Sequence, residues 1–183
     1  MRTTRSLALT LSLSVLTVSL AILSSPATAA ERATATIIDR DGKAVGAATL
    51  TEGPHGVLIH VAAKGLPPGP KAIHIHSVGT CEDPDKGFVA SKGHLNPHAK
   101  PHGLMNPVGP DAGDLPNLFV HADGSVEAEF FSTLASLTGA GERARILDED
   151  GAALVIHENR DDHLSQPIGG AGPRLFCGVI EAQ

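Results

Sequence analysis

The chain has 183 residues, of which 42% are hydrophobic, and a formal net charge of −6 at pH 7. This length fits one domain with a hydrophobic core of its own. The negative charge argues against nucleic acid or an anionic membrane as a partner. Because the chain contains no Trp, no Tyr and only five Phe, we expect a core of Val, Ile, Leu and Ala.

The N-terminal segment has the composition of a secretory signal peptide. Arg2 and Arg5 come before an apolar run from Leu7 to Leu23, and the small residues Ala27-Thr28-Ala29-Ala30 follow it. A charged start, an apolar middle and a small-residue exit are typical of a segment that is cleaved during export. Because the apolar run is slightly long, an uncleaved membrane anchor is the alternative.

We therefore predict a signal peptide over residues 1–30, a single domain over residues 31–183, and a periplasmic or extracellular location. Without Arg2 and Arg5, the domain has a formal charge of −8 in place of −6. No other stretch is long and apolar enough to span a membrane, so we expect no membrane contact after the signal peptide is removed. The sequence leaves the oligomeric state open, a homodimer included.

Short runs with period-two alternation predict β-strands along the domain. In residues 126–130 the carboxylates fall on one face and the apolar groups on the other. Similar short runs are residues 33–37, 57–61, 118–121, 152–157 and 174–180. Three Asp-Gly pairs suit the positive dihedral angles of tight hairpin turns: Asp41-Gly42, Asp123-Gly124 and Asp150-Gly151. Many short strands with such turns favour an all-β antiparallel sandwich or barrel.

Four histidines from separate parts of the chain form a candidate copper site. His74 and His76 flank Ile75 in a strand-like run, so both imidazoles leave the same face of a sheet, roughly 6–7 Å apart along the chain. Two solvent-facing histidines on an edge strand would show the same pattern. His157 ends another predicted strand, and His94 opens a loop. Together the four can form the distorted square-planar set of nitrogens that divalent copper prefers.

Residues 77–117 are predicted to be mostly loop, and residues 92–116 contain nine Gly and Pro residues. A long irregular segment inside a compact domain is usually functional, and metal coordination would give this one a reason to be ordered. Its candidate metal-binding side chains are His94, His98, His102, Asp111 and Asp114. The set without His98 offers the mixed nitrogen and oxygen donors that suit tetrahedral zinc. If His94 serves both metals, its imidazole must lose both protons.

The chain has two cysteines, Cys81 and Cys177. In an exported protein they most simply form one disulfide, because that compartment is oxidising. The alternative is a pair of buried free thiols.

Six strings of residues, in this order and spacing, resemble the Cu,Zn superoxide dismutases of bacteria. The strings are AIHIHSVGTC, GHLNP, PHG, GDLPNL, VIHENRDD and GPRLFCGVI, and the resemblance extends over roughly residues 33–181. It implies an eight-stranded Greek-key barrel, an immunoglobulin-like sandwich with long metal-binding loops. It also implies one disulfide, a copper site beside a zinc site, and the superoxide anion as substrate.

Residue by residue, the resemblance implies that copper is bound by His74, His76, His94 and His157, with His94 as the histidine shared with zinc. His102 and Asp114 match two zinc ligands of the family.

The resemblance also assigns roles to residues that bind no metal. Arg174 matches the arginine that guides superoxide to copper, and Asp161 matches the carboxylate that links the two metal sites through their histidines. Cys81 and Cys177 match the disulfide that ties the metal loop to the last strand.

The chain departs from the family pattern at one zinc position. The family has a histidine three residues before the zinc-binding aspartate, whereas this chain reads Asp111-Ala112-Gly113-Asp114. Aspartate is an ordinary zinc ligand, but its side chain is shorter and adds negative charge. Zinc could therefore be retained with Asp111 as a ligand, bound weakly, bound with the help of His98, or absent.

The favoured hypothesis is an exported, copper-dependent superoxide dismutase. A copper-binding or copper-buffering protein without catalysis, on the same scaffold, is the alternative, and the altered zinc position adds weight to it. A purely structural exported barrel is a third.

Overall fold

The computed structural model describes residues 31–183, so the predicted signal peptide, residues 1–30, lies outside the described residues. Eleven strands follow one another in this part of the chain. They are β1 (Arg32–Ile38), β2 (Ala44–Gly53), β3 (Gly56–Ala63), β4 (Gly69–Lys71), β5 (Ile73–His76), β6 (Leu118–Val120), β7 (Val126–Ser132), β8 (Ala135–Ser136), β9 (Ala144–Arg145), β10 (Ala152–His157) and β11 (Arg174–Ala182). Two single-turn 3₁₀ helices, Pro84–Lys86 and Val89–Ser91, lie in the loop after β5.

Seven of these strands form one antiparallel sheet in the order β5-β10-β11-β1-β2-β3-β7. β4 pairs with β6, and a tight turn joins β6 to β7 at the far edge of the sheet, where the N–H of His121 donates to the carbonyl of Ser125 over 2.9 Å. Only Ala72 separates β4 from β5, so the sheet curls round until its two edges meet through β4 and β6. This curled antiparallel sheet confirms the predicted all-β barrel.

The predicted number of eight strands is recovered when β4 and β5 are counted as one interrupted strand and the two-residue strands β8 and β9 are set aside. The connections skip neighbours as a Greek key does, because β3 pairs with β7 and not with β4. The β8–β9 pair is parallel and is the exception to the antiparallel pattern.

Five of the six predicted runs lie within strands, and the sixth, residues 118–121, extends one residue beyond the end of β6 at Val120. β2 was not predicted, because its Ala, Gly and Thr residues give weak alternation, and neither were the short strands β4, β8 and β9. Gly42 and Gly124 have φ values of 76° and 79° in the turns before β2 and β7, as expected for the Asp-Gly pairs. Gly151 also has a positive φ, of 66°. However, the turn at Asp150 leads out of an irregular segment, and its carbonyl accepts the N–H of Gly79. The prediction of a hairpin turn at this third pair is wrong.

Both faces of β5 and β10 are buried, and this places the predicted metal-binding histidines. Ile73 and Ile75 belong to the hydrophobic core, so the alternation directs His74 and His76 to the opposite face. The loop between β5 and β6 covers that face.

Main-chain hydrogen bonds hold this loop against β5. The N–H of Ile75 donates to the carbonyl of Gly113 over 2.9 Å, and the N–H of Leu95 donates to the carbonyl of Ile75 over 2.8 Å. A Cβ on Gly113 would lie 2.3 Å from the carbonyl oxygen of Ile75, so this close approach requires glycine.

A disulfide joins Cys81 in the loop to Cys177 in β11, with 5.8 Å between the Cα atoms. This confirms the predicted pairing. The bond is buried with Phe88 and Val155 in a small apolar cluster of its own. It therefore ties the loop that carries His94 to the strand that begins at Arg174.

Replacing both cysteines, Cys81→Ser with Cys177→Ser, should lower the free energy of unfolding. The bond closes a loop with a sequence separation of 96 residues, and loop-closure entropy gives an upper value of about 4.7 kcal/mol for a loop of this size. We expect a loss of roughly 2–4 kcal/mol in urea unfolding followed by circular dichroism. Reducing the parent protein with dithiothreitol is the control and should give the same loss. Equal stability of the oxidised parent and the double variant would contradict the prediction.

Candidate metal centre

The structure gathers the four histidines of the predicted copper site into one buried cage. His74 and His76 come from β5, His157 from β10, and His94 from the loop. The ring centroids of His74 lie 4.1 Å from those of His94 and 5.0 Å from those of His157. The ring of His76 lies 5.5 Å from that of His94 and 5.8 Å from that of His157. Strand pairing sets part of this geometry, because His74 pairs with Val155 in β10, two residues before His157.

Each of these imidazoles has one nitrogen that donates a hydrogen bond to a fixed oxygen. The pairs are His74 Nε2 with Asp161 Oδ2 at 2.9 Å, His76 Nδ1 with the Lys92 carbonyl at 2.9 Å, His94 Nδ1 with Asp111 Oδ2 at 3.0 Å, and His157 Nδ1 with the Gly172 carbonyl at 3.0 Å. The acceptors have no proton to give, so the proton of each neutral ring lies on the bonded nitrogen.

The other nitrogen of each ring is buried and has no hydrogen-bond partner among residues 31–183: His74 Nδ1, His76 Nε2, His94 Nε2 and His157 Nε2. Buried polar atoms are normally paired, so four unpaired ones in one cage require an explanation. In the neutral ring each of these nitrogens has a free lone pair, and the opposite nitrogen is held by an oxygen, as is usual for histidines that bind metals. The donor set therefore fits a copper ion.

Burial keeps three of these rings neutral. Burial lowers the pKa of His74 to about 4, although the hydrogen bond that His74 donates to Asp161 opposes this shift, and it lowers the pKa of His157 to about 3. Burial and then the positive charge of Arg174 lower the pKa of His76 well below its ordinary value. At neutral pH these rings hold no extra proton that a metal ion would have to displace.

A second cluster lies on the other side of His94 and consists of His94, His102, Asp111 and Asp114. One potential ligand atom from each lies within 4.8 Å of all the others. Nδ1 of His102 donates to Oδ1 of Asp114, and Nδ1 of His94 lies 3.4 Å from the same oxygen. All four side chains of the predicted zinc set are therefore brought together.

The carboxylates raise the histidine pKa values in this second cluster, whereas burial lowers those of three histidines in the cage. Burial lowers the pKa of His102, but the hydrogen bonds that its ring donates to Asp114 and Asp161 outweigh burial and raise the pKa to about 10. In His94 the interactions of the ring N–H with the carboxylates of Asp111 and Asp114 likewise outweigh burial, and the pKa is raised. At neutral pH the ring of His102 therefore carries a proton that a divalent cation would have to displace. The mixed nitrogen and oxygen donors of the cluster fit zinc.

Asp161 lies between the two clusters and is fully buried. Its Oδ2 accepts from Nε2 of His74 at 2.9 Å, and its Oδ1 accepts from Nε2 of His102 at 3.1 Å. Burial would raise the pKa of Asp161, but the hydrogen bonds from His102 and His74 hold it well below its ordinary range. The side chain is therefore an ionised bridge between a histidine of each cluster.

Arg174 lies at the edge of the histidine cage, because it is the register partner of His157 in the β10–β11 ladder. Its guanidinium donates to the carbonyls of Phe88 at 2.7 Å and Lys92 at 2.6 Å, and to Ser91 Oγ at 3.2 Å. Burial lowers its pKa, but guanidinium remains a cation at neutral pH. A fixed positive charge thus stands beside the cage.

Two residues behave differently from what the sequence suggested. His98 is exposed, its Nε2 lies 3.0 Å from the carbonyl of Glu142, and it is not part of the second cluster. Asn117 was not singled out, yet its Oδ1 accepts the N–H of Asp161 at 2.8 Å and its Nδ2 donates to the carbonyl of Asp161 at 2.9 Å. Its place in the string GDLPNL was the available signal.

Comparisons with known proteins agree with this geometry. The family model for copper/zinc superoxide dismutase (SODC) matches residues 44–180. The chain is 52% identical to a superoxide dismutase [Cu-Zn] of Caulobacter vibrioides over 150 residues, which are 81% of this chain and 85% of that protein.

Two solved structures have the same fold. A SOD-like protein from Bacillus subtilis has a TM-score of 0.75 and 41% identity, with 80% of this chain and 96% of that chain covered. The Cu/Zn superoxide dismutase from Brucella abortus has a TM-score of 0.66 and 29% identity, with 82% of this chain and 100% of that chain covered. The family match over most of the chain, together with the barrel, shows that this chain belongs to the copper/zinc superoxide dismutase family.

Proposed function

We propose that the protein is an exported, copper-dependent superoxide dismutase that converts superoxide to dioxygen and hydrogen peroxide. Membership of the family supports superoxide dismutase activity. The observation that carries the proposal for this chain is the cage of four buried, unpaired imidazole nitrogens with Arg174 beside it.

Copper would be held by Nδ1 of His74 and by Nε2 of His76, His94 and His157, the four unpaired nitrogens. Bound there, it would supply one-electron chemistry, taking an electron from one superoxide and giving an electron to the next. The fixed hydrogen bond on the opposite nitrogen of each ring holds the four lone pairs in place, so the cage need not rearrange.

The positive charge of Arg174 would attract the superoxide anion to a chain whose net charge is negative. Three main-chain and side-chain oxygens orient its guanidinium at the edge of the cage. A fixed cation near a cleft raises the local concentration of an anionic substrate and the rate of encounter. The same N–H groups are suited to hydrogen-bond a small anionic oxygen species.

His94 is the residue best placed to supply a proton. Its Nε2 faces the cage and its Nδ1 faces Asp111 and Asp114. These carboxylates raise the pKa of His94, which favours a proton at Nε2 whenever that nitrogen is not a ligand. In this role His94 would supply one of the two protons that hydrogen peroxide requires, and water would supply the other.

We propose zinc as the second metal, with Asp111 as a ligand in place of the family histidine. His94, His102 and Asp114 would supply the other donors, through the atoms that already converge. Bound zinc would supply fixed positive charge beside the cage. A non-catalytic copper-binding protein is the second candidate function, because the two carboxylates of the cluster change the charge next to His94.

Arg174→Ala separates the two candidate functions. The enzyme should lose roughly 10- to 100-fold in kcat/KM, because a steering cation is removed, whereas copper affinity should change little. Superoxide removal by copper-loaded, disulfide-closed protein is measured by pulse radiolysis, and copper affinity by competition with a chelator. The matched control is Arg32→Ala, which removes an exposed charge at the start of β1.

Full activity of Arg174→Ala would contradict the role of this arginine. If the fully metallated parent shows no activity, the enzyme proposal itself fails.

Asp111→Asn tests the proposed zinc ligand. The amide keeps the shape but removes the charge of Asp111, and we expect zinc affinity to fall by at least about 10-fold while copper is retained. Because the pKa of His102 is raised to about 10, zinc must displace a proton, and affinity should fall as the pH is lowered. Asp162→Asn, a neighbouring exposed carboxylate outside the cluster, is the control. Unchanged zinc affinity in Asp111→Asn would remove Asp111 from the site.

Export is proposed from the composition of residues 1–30 and is supported by the disulfide, which forms in oxidising compartments. Expressed in a Gram-negative host, the full chain should appear in the periplasmic fraction with the mass of a chain that begins at Ala30 or Glu31. Leu13→Arg with Leu16→Arg, which interrupts the apolar run, should leave an uncleaved chain in the cytoplasm. Cleavage and fractionation unaffected by this double change would overturn the assignment.

A further inference from the structure

One imidazole outside both metal clusters lies against Asp161. His163 stands two residues after Asp161, and its backbone has a left-handed φ of 62°, an uncommon conformation for a residue other than glycine. Its main-chain N–H donates to Oδ1 of Asp161 over 2.6 Å, and its Nδ1 lies 3.5 Å from Oδ2 of the same carboxylate. The unusual backbone thus turns both the main chain and the ring of His163 towards one carboxylate.

The contacts of Asn117 fix which nitrogen of His163 carries the proton. Oδ1 of Asn117 accepts the N–H of Asp161, and Nδ2 donates to the carbonyl of Asp161, so the orientation of the amide is determined. Nδ2 of Asn117 also lies 3.0 Å from Nε2 of His163. Because an amide nitrogen can only donate, Nε2 of His163 must accept and has no proton. The neutral ring therefore carries its hydrogen on Nδ1.

That N–H is buried, and it has no hydrogen-bond partner within the described part of the chain. The nearest carboxylate oxygen is Oδ2 of Asp161. We propose that His163 is a positioning residue, whose Nδ1–H donates to Oδ2 of Asp161 and makes it the third imidazole on this carboxylate, beside His74 and His102. A contraction of a few tenths of an ångström brings the pair within hydrogen-bond distance.

With this bond, Asp161 accepts four N–H groups. Those of His74 and His163 meet Oδ2, while that of His102 and the main-chain N–H of His163 meet Oδ1. His163 therefore fixes the carboxylate in the orientation in which its two oxygens meet the rings of His74 and His102. Without His163 the carboxylate could turn and hold these two rings less well.

The orientation of Asp161 matters because the opposite nitrogens of these two rings face the proposed metals. An oxygen bonded to one nitrogen of a histidine ligand orients the ring and raises its basicity. The carbonyl of His163 also accepts the N–H of Met105, so the same residue anchors the loop that carries His102. This metal-directed part of the inference rests on the proposed function, whereas the hydrogen bond to Asp161 does not.

The bond can be tested on the metal-free protein by nitrogen NMR of the imidazole rings, with the signal of His163 identified by its loss in His163→Asn. We expect the neutral tautomer with a proton on Nδ1 and an unprotonated Nε2. A proton on Nε2 would overturn the proposal.

Two variants test the effect on the metals. His163→Phe keeps an aromatic ring and removes both nitrogens, whereas His163→Asn keeps an N–H near the position of Nδ1 and tolerates the left-handed backbone. In His163→Phe we expect copper and zinc affinity to fall about 3- to 10-fold, less than the 10- to 100-fold typical of a direct partner of a ligand. The copper(II) EPR spectrum should shift. In His163→Asn both affinities should stay within about twofold of the parent, with an unshifted spectrum.

His121→Phe, an exposed histidine in the turn before β7, is the matched control and should change neither the affinities nor the spectrum. Equal effects of His163→Phe and His163→Asn would contradict the positioning role. If the parent itself fails to retain copper, the proposed function fails instead, and the NMR measurement on the metal-free protein still decides the proposal for His163.

Discussion

The structure depends on four buried imidazoles that are each satisfied at only one nitrogen. Leaving a polar atom unpaired in a protein interior is unfavourable, and a chain normally avoids it. Here the second nitrogens of His74, His76, His94 and His157 all point into one cage. The first nitrogens are tied to oxygens on two loops, one between β5 and β6 and the other between β10 and β11. The surrounding contacts thus hold in place an arrangement that becomes favourable when a metal ion takes up the four lone pairs.

The barrel supplies the rigid part of this arrangement and the loop supplies the rest. β5 and β10 are buried on both faces, so the rings of His74 and His157 cannot turn away from each other. His94 is held by main-chain bonds between the loop and β5, and the disulfide fixes the loop to β11. Arg174 is linked to the cage through the carbonyl of Lys92, which accepts hydrogen bonds from both the guanidinium of Arg174 and the ring of His76. The proposed substrate guide and a proposed copper ligand are therefore positioned by the same atom.

The sequence predicted the parts of this centre that come from residue type and strand alternation. His74 and His76, separated by one residue, were expected on one face of a strand, and both lie there because Ile73 and Ile75 fill the core on the other face. The disulfide was predicted because the chain has only two cysteines and was expected to be exported to an oxidising compartment. The family resemblance brought in Arg174 and Asp161, which no local pattern marks.

Partners that are main-chain groups could not be predicted. The carbonyls of Lys92 and Gly172 hold His76 and His157, and every residue of the chain has a carbonyl. The path of the loop could not be predicted either. His98 is a potential metal donor by residue type, but the loop places it at the surface beside Glu142.

The loop accommodates Asp111 in place of a histidine because Asp111 and Asp114 each use one carboxylate oxygen for main-chain hydrogen bonds and the other for the histidines. Oδ1 of Asp111 accepts the N–H of Gly113 over 3.0 Å, and Oδ2 of Asp114 accepts the N–H groups of Gly103 and Asp111 over 2.7 and 3.0 Å. In each side chain one oxygen is thus bonded to the main chain and the other faces the histidines. The main-chain bonds orient the shorter side chain of Asp111 and offset part of the added negative charge. The loop can therefore hold two buried carboxylates next to His94 without losing the geometry that brings His94 into the copper cage.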